Sequence, residues 1–170
     1  MQVINKLISS EQIQERLKQI AKQIDSDFNE VTLLVTLTGG VYTAIDLSKY
    51  LTIPVKLEFV KIASYGHERS AGIIDLKWMS VRKGEDLGNV IIVDDVFDTG
   101  NTMDYLVKYL ENNYTYESIN TMVLLDKPAR REKPRNIDYT GFVIEDKFVY
   151  GYGLDLKDYK RNIMDILWVE

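Results

Sequence analysis

The sequence predicts an α/β fold built on a mainly parallel sheet, and three observations predict it. Short apolar runs rich in Val, Ile and Leu recur at 31–37, 90–93 and 119–125; runs of this length bounded by turn residues read as strands buried on both faces. Stretches with helical spacing lie between them, so strand and helix alternate. Each run ends in polar or glycine-bearing turns at 38–40, 94–102 and 126–131. Ligands of parallel sheets bind at the carboxyl ends of the strands, where these three turns would meet.

The elements follow in order. Ser9 and Gln12 have the spacing of a capping box, and Ile13, Leu17, Ile20, Ala21 and Ile24 then mark the buried face of a helix. The run 31–37 is the first predicted strand. Thr38-Gly39-Gly40 is a turn, 41–51 reads as a helix ended by Pro54, and 55–62 is a second strand. Residues 63–72 have no period and read as a loop, with strand character resuming at 73–82. The central strand begins at Val90, and Met103, Leu106, Val107 and Leu110 form one face of the helix that follows. After the strand at 119–125, residues 126–136 hold five basic residues and two prolines and read as an irregular loop. Strands are expected at 139–144 and 163–169.

Bulk composition limits the function. A chain of 170 residues, 45% hydrophobic, is enough for one domain with a real core, and 1–170 is taken as one unit. A net charge of −5 argues against a general nucleic-acid binder. Absence of cysteine excludes disulfides and thiolate metal sites, and a single histidine, His67, excludes a histidine-rich zinc site. A metal would be a hard cation held by carboxylates and ligand phosphates, with Mg²⁺ the first choice. No apolar stretch approaches the ~20 residues of a membrane span. The first six residues lack the charged and apolar regions of a secretion signal, so a cytoplasmic protein is expected.

The chemistry centres on 90–102. Four apolar residues lead into Asp94 and Asp95, then Asp98, then Thr99-Gly100-Asn101-Thr102 at the start of a helix. Free N–H groups at a helix start hold anions, and the carboxylates can take hydroxyl groups. An acidic rim beside a phosphate cradle suggests a sugar phosphate. The plainer alternative has Asp94 and Asp95 capping a turn and Asp98 as the helix N-cap. No GxxxxGK[ST] motif is present, and Gly151-x-Gly153 is not completed as a dinucleotide fingerprint.

Over its whole length, 90–102 resembles the phosphoribosyl pyrophosphate (PRPP) signature of type I phosphoribosyltransferases. Asp146-Lys147-Phe148-Val149, then Gly151-Tyr152-Gly153-Leu154-Asp155, then Arg161, is similar to the purine-binding segment of the hypoxanthine–guanine branch. The resemblance is drawn over about 31–168, with the N-terminal helix outside it. It implies the type I fold, with a mainly parallel sheet flanked by helices and a small hood built from the chain termini, at about 145–170. It also implies roles for particular residues. Asp94 and Asp95 would hold ribose hydroxyls, and Thr99, Gly100, Asn101 and Thr102 the 5-phosphate. Asp98 would act as general base at N7 of the purine. Thr38 and Gly39, after a cis peptide at Leu37–Thr38, and Arg161 would bind pyrophosphate. Ser64 and Tyr65 would open a catalytic lid at about 63–73 that excludes water. Lys127 would donate to the purine 6-oxo group, Phe148 would stack on the base, and the Val149 backbone would read its edge. Asp94, Asp95 and Asp155 would hold Mg²⁺. Thr38 and Asn101 stand where the family often has lysine, and Asp94 where it often has glutamate, so the pyrophosphate loop is expected to lack its own cation.

The expected activity is transfer of 5-phosphoribosyl from PRPP to N9 of hypoxanthine or guanine, in a homodimer or homotetramer that binds neither nucleic acid nor membrane. The alternatives are a non-catalytic PRPP- or nucleotide-binding regulator of the same fold, and a xanthine-preferring enzyme. Retention of Asp98, Lys127 and the Ser64-Tyr65 pair argues against the regulator.

Overall fold

The structure is a computed structural model that describes residues 5–65 and 73–170. Six strands form one sheet in the order β4-β3-β2-β5-β6-β7: β2 (Val31–Leu37), β3 (Val55–Tyr65), β4 (Ile73–Met79), β5 (Asn89–Phe97), β6 (Ser118–Asp126) and β7 (Tyr139–Val143). All neighbours are parallel except β3 and β4, which pair antiparallel at one edge. A second sheet of three strands, order β1-β9-β8, joins β1 (Asn5–Ile8) to β9 (Ile166–Val169) and β8 (Phe148–Tyr150).

Strand alternation divides the core. Leu33, Val35, Ile91 and Val93 face α1 (Ser10–Asp27) and α2 (Val41–Tyr50), whereas Leu34, Val90 and Ile92 face α3 (Asn101–Asn113). The helices are placed by the residues the spacing marked: Ile13, Leu17, Ile20, Ala21 and Ile24 are the buried face of α1, and Met103, Leu106, Val107 and Leu110 that of α3. The capping box at Ser9 and Gln12 is formed. Both faces of β2 and β5 are therefore covered, which is what a continuous apolar strand requires. Among the described residues, no helix is long and apolar enough to cross a membrane.

The structure corrects some boundaries. β3 runs on to Tyr65, so residues 63–65 are strand rather than loop. Residues 66–72, with His67 and most of the expected lid, lie outside the described residues, as does the Tyr65 side chain. β5 extends to Phe97, so Asp94 and Asp95 sit in the strand and not in the turn after it. β1 and β8 are strands that the sequence pattern did not mark.

Candidate active site

The site forms where β2, β3 and β5 end. β5 is central, paired with β2 through Val35↔Val93 and with β6 through Asp94↔Val123 and Phe97↔Asp126. Four buried residues, Val90, Ile91, Ile92 and Val93, anchor it, and Asp94 and Asp95 emerge at its carboxyl end. The hydroxyl of Thr36, in the adjacent strand, donates to Asp94 Oδ1 at 2.6 Å, and the Asp95 and Val96 amides donate to Asp94 Oδ1 and Asp95 Oδ1 at 2.9 and 2.8 Å. Burial and the negative charge of Asp94 raise the pKa of Asp95 well above the ordinary carboxylate range. Two adjacent carboxylates therefore resist carrying two charges at once, and a cation or a hydroxyl donor would relieve them.

The loop after β2 packs onto this pair. The Leu37–Thr38 peptide bond is cis, as the resemblance implied. Gly39 lies so close over Asp95 that a Cβ would overlap its carboxylate. Thr38 itself carries no charge, but Lys61 of β3, which pairs with Leu37, points its ammonium at the Thr38 hydroxyl at 3.5 Å. The cation missing at position 38 is thus present on the neighbouring strand.

A cleft of about 300 Å³ opens above these residues and is lined by Gly39, Ser64, Asp94, Asp95, Thr102, Asp155 and Arg161, among others. Arg161 donates to the Gly153 carbonyl at 2.6 Å and lies 3.2 Å from Asp155. A smaller concavity of about 60 Å³ adjoins the cleft and shares Asp94, Val96 and Thr102 with it; Asp98, Thr99 and Gly100 also line it. Here the chain turns into α3. The N-cap is Gly100, with φ 88° and no side-chain cap, so Asp98 is not the N-cap. First-turn N–H groups of a helix lack intrahelical partners, which leaves this concavity suited to an anion. The Asn101 side chain turns away from it and donates to Glu132 at 2.9 Å.

The loop after β6 braces the turn. The Glu132 and Lys133 amides donate to the Thr99 carbonyl at 2.8 and 2.9 Å. Arg131 stacks on the Phe97 ring at 3.6 Å and donates to the Phe97 and Asp98 carbonyls and to Asp126. In the sequence Arg131 is only one of the five basic residues of an irregular loop. Its role depends on packing, and the Pro128 and Pro134 that stiffen the loop were the visible signal.

Lys127, buried at the end of β6, donates to the Lys147 carbonyl at 2.6 Å, just before β8. Phe148 is exposed there and Val149 buried. None of the three lines either cavity, but the Lys127 amide donates at 2.9 Å to the carbonyl of Phe97, which lines the smaller one. A larger groove of about 830 Å³, lined in part by Tyr42, Tyr50 and Tyr152 between α1 and α2, contains none of the residues expected to bind substrate or metal or to act in catalysis. Chemistry and not size therefore locates the site.

For a metal, the available donors are the carboxylates of Asp94, Asp95 and Asp155. Among the described residues no cluster of three acidic or histidine side chains is close enough to hold an ion by itself. Mg²⁺ binds through one or two carboxylates plus waters and substrate phosphates, so the donor set fits that ion when substrate completes it.

Comparison with known proteins agrees with this geometry. The family model described as phosphoribosyl transferase domain matches residues 7–157, so the N-terminal helix belongs to the resemblance after all. A hypoxanthine-guanine phosphoribosyltransferase of Aquifex aeolicus is 36% identical over 96% of this chain and 93% of its own length. One from Bacillus subtilis is 32% identical, over 92% and 88%. A Bacillus anthracis hypoxanthine-guanine phosphoribosyltransferase structure superposes with TM-score 0.89 at 34% identity, covering 98% of each chain. The Trypanosoma cruzi hypoxanthine phosphoribosyltransferase, in complex with its product IMP, superposes with TM-score 0.87 at 33% identity, covering 97% and 93%. The chain belongs to the phosphoribosyltransferase family, in its hypoxanthine-guanine branch.

Proposed function

We propose that this chain salvages purines by moving 5-phosphoribosyl from PRPP to N9 of hypoxanthine or guanine, giving IMP or GMP and pyrophosphate. The observation that carries the reading is the meeting of an acidic pair, a helix-start concavity and Arg161 at one strand edge, with the buried Lys127 beside it.

Each role follows from charge and position. The turn at 98–102 holds the 5-phosphate through α3 first-turn amides and the Thr99 and Thr102 hydroxyls. Asp94 and Asp95 accept hydrogen bonds from the ribose hydroxyls. The backbone at Thr38 and Gly39, with Arg161, holds the pyrophosphate, and a fixed guanidinium stabilises the charge that grows on it as the C1′–O bond breaks. Lys127 exchanges the Lys147 carbonyl for the purine 6-oxo oxygen. A 6-amino group would present donor to donor and be rejected. Phe148 stacks on the base, and the Val149 backbone reads its edge. As N9 bonds to C1′, Asp98 takes the proton from N7; such a base is worth ~10²–10⁴-fold. Mg²⁺, held by Asp94, Asp95 or Asp155 together with PRPP, supplies neutralising charge at the pyrophosphate. Ser64, exposed near the end of β3, lines the cleft, and the water-excluding lid expected after it lies outside the described residues. The hood at about 145–170 carries the base-binding residues.

A homodimer or homotetramer in the cytoplasm belongs to the same reading. The test of the activity is product formation. Purified protein given PRPP, Mg²⁺ and hypoxanthine or guanine forms IMP or GMP, separated by chromatography. A protein that binds PRPP and forms neither, and forms no nucleotide from xanthine, is the regulator instead.

A further inference from the structure

Residue 98 is gripped from two sides by the loop after β6. Arg131 holds its main chain, donating to the Asp98 carbonyl at 3.0 Å. Arg130 holds its side chain, with Nη1 3.4 Å from Asp98 Oδ2. The other carboxylate oxygen, Oδ1, is buried and has no hydrogen-bond partner among the described residues.

We propose that Arg130 is a positioning residue for Asp98, holding Oδ2 so that the carboxylate keeps one orientation at the start of α3. The inference rests on the reading of Asp98 as proton acceptor. A carboxylate left to itself rotates about its terminal bond, and its oxygens exchange places. An ion pair at Oδ2 breaks that symmetry. Arg130 lies at the end of the short 3-10 helix Pro128–Arg130, which follows Lys127 directly. The residue that reads the 6-oxo group and the residue that aims the acceptor therefore sit on one turn, stiffened by Pro128. Arg130 is half exposed, so solvent screens the pair and its role is geometric more than stabilising.

The test is a kinetic comparison of Arg130→Ala, Arg130→Lys, Asp98→Asn and the double variant Arg130→Ala/Asp98→Asn, with PRPP affinity measured by calorimetry. Arg130→Ala should lower kcat by roughly 10-fold or more, a part of the ~10²–10⁴-fold that a general base supplies. PRPP affinity and the KM values should stay within about twofold of the parent, a split that a residue touching substrate would not give. Arg130→Lys should recover much of the loss. In the Asp98→Asn background, Arg130→Ala should cost nothing further, because the group it aims is gone. Three results would overturn the inference alone: kcat of Arg130→Ala unchanged, a raised KM with kcat unchanged, or equal losses with and without Asp98. If Asp98→Asn itself leaves turnover intact, the base reading falls, and this inference with it.

Discussion

Gly153 packs its α-carbon against the carbonyl oxygen of Gly39, so closely that a Cβ on Gly153 would overlap that oxygen. One glycine belongs to the segment proposed to bind the purine and the other to the loop proposed to bind pyrophosphate. The two halves of the site are therefore in direct backbone contact. Arg161 strengthens the junction by donating to the Gly153 carbonyl.

Gly153→Ala should damage both halves together. Its φ of 94° disfavours a side chain, and the Cβ has no room. The expected loss is about 1–3 kcal/mol of stability, a fall in melting temperature of several degrees for a chain of this size. KM for PRPP and for the purine should both rise. Calorimetric melting and steady-state kinetics check it; a rise in one KM alone would show that the halves are not coupled here.

Lys127→Ala should separate the substrates. The lysine is buried and placed to donate to the base, so kcat/KM for hypoxanthine and guanine should fall ~10–100-fold, the worth of a charged hydrogen bond. PRPP affinity, measured by titration calorimetry, should change little. Equal loss of both would make Lys127 structural, through its bond to the Lys147 carbonyl.

Tyr152 ties the base-binding segment to α1 and α2. Its hydroxyl donates to Asp46 at 2.6 Å, and Gln14 donates to the same carboxylate at 2.9 Å. Burial alone would raise the Asp46 pKa, but the hydrogen bonds from Tyr152, Gln14 and Lys49 outweigh it and leave it lowered. A lowered folded-state value stabilises the fold above the ordinary carboxylate range, and the gain is lost as pH falls through the folded value. Tyr152→Phe should therefore cost about 1–2 kcal/mol at neutral pH, and less in acid. Denaturant unfolding at pH 7 and near pH 3 checks the sign; an equal cost at both would place the loss in packing.

Removal of Mg²⁺ should abolish transfer, since the carboxylates of Asp94, Asp95 and Asp155 need substrate and ion together. Activity in excess chelator, and its recovery on adding Mg²⁺, measures this directly. Full activity in chelator would remove the ion from the reaction.

The parts of this molecule that were legible in the sequence are those set by local pattern. The α1 and α3 faces and the Ser9 cap follow from 3.6-residue spacing and local hydrogen bonds. β2 and β5 follow from apolar runs with turns after them. β1 escaped notice because it is short and its partner, β9, lies at the other end of the chain, and β8 because it is only three residues long. Asp94, Asp95 and Lys127 were visible because strand ends in a parallel sheet have a known use. Thr36 is one of two threonines in an otherwise apolar strand, and its bond to Asp94 depends on the β2–β5 pairing. Arg130 and Arg131 are, in the sequence, two of five basic residues in an irregular loop. What they touch is decided by the path of a proline-bearing loop, which no periodicity encodes.

The account stands most directly on base selection. Wild-type protein is given PRPP, Mg²⁺ and, in separate reactions, hypoxanthine, guanine, xanthine, adenine and uracil, and the pyrophosphate released is measured. Rapid release with hypoxanthine or guanine, and none above background with adenine or uracil, is the predicted result. Release with adenine equal to that with hypoxanthine, or with xanthine alone, would contradict it.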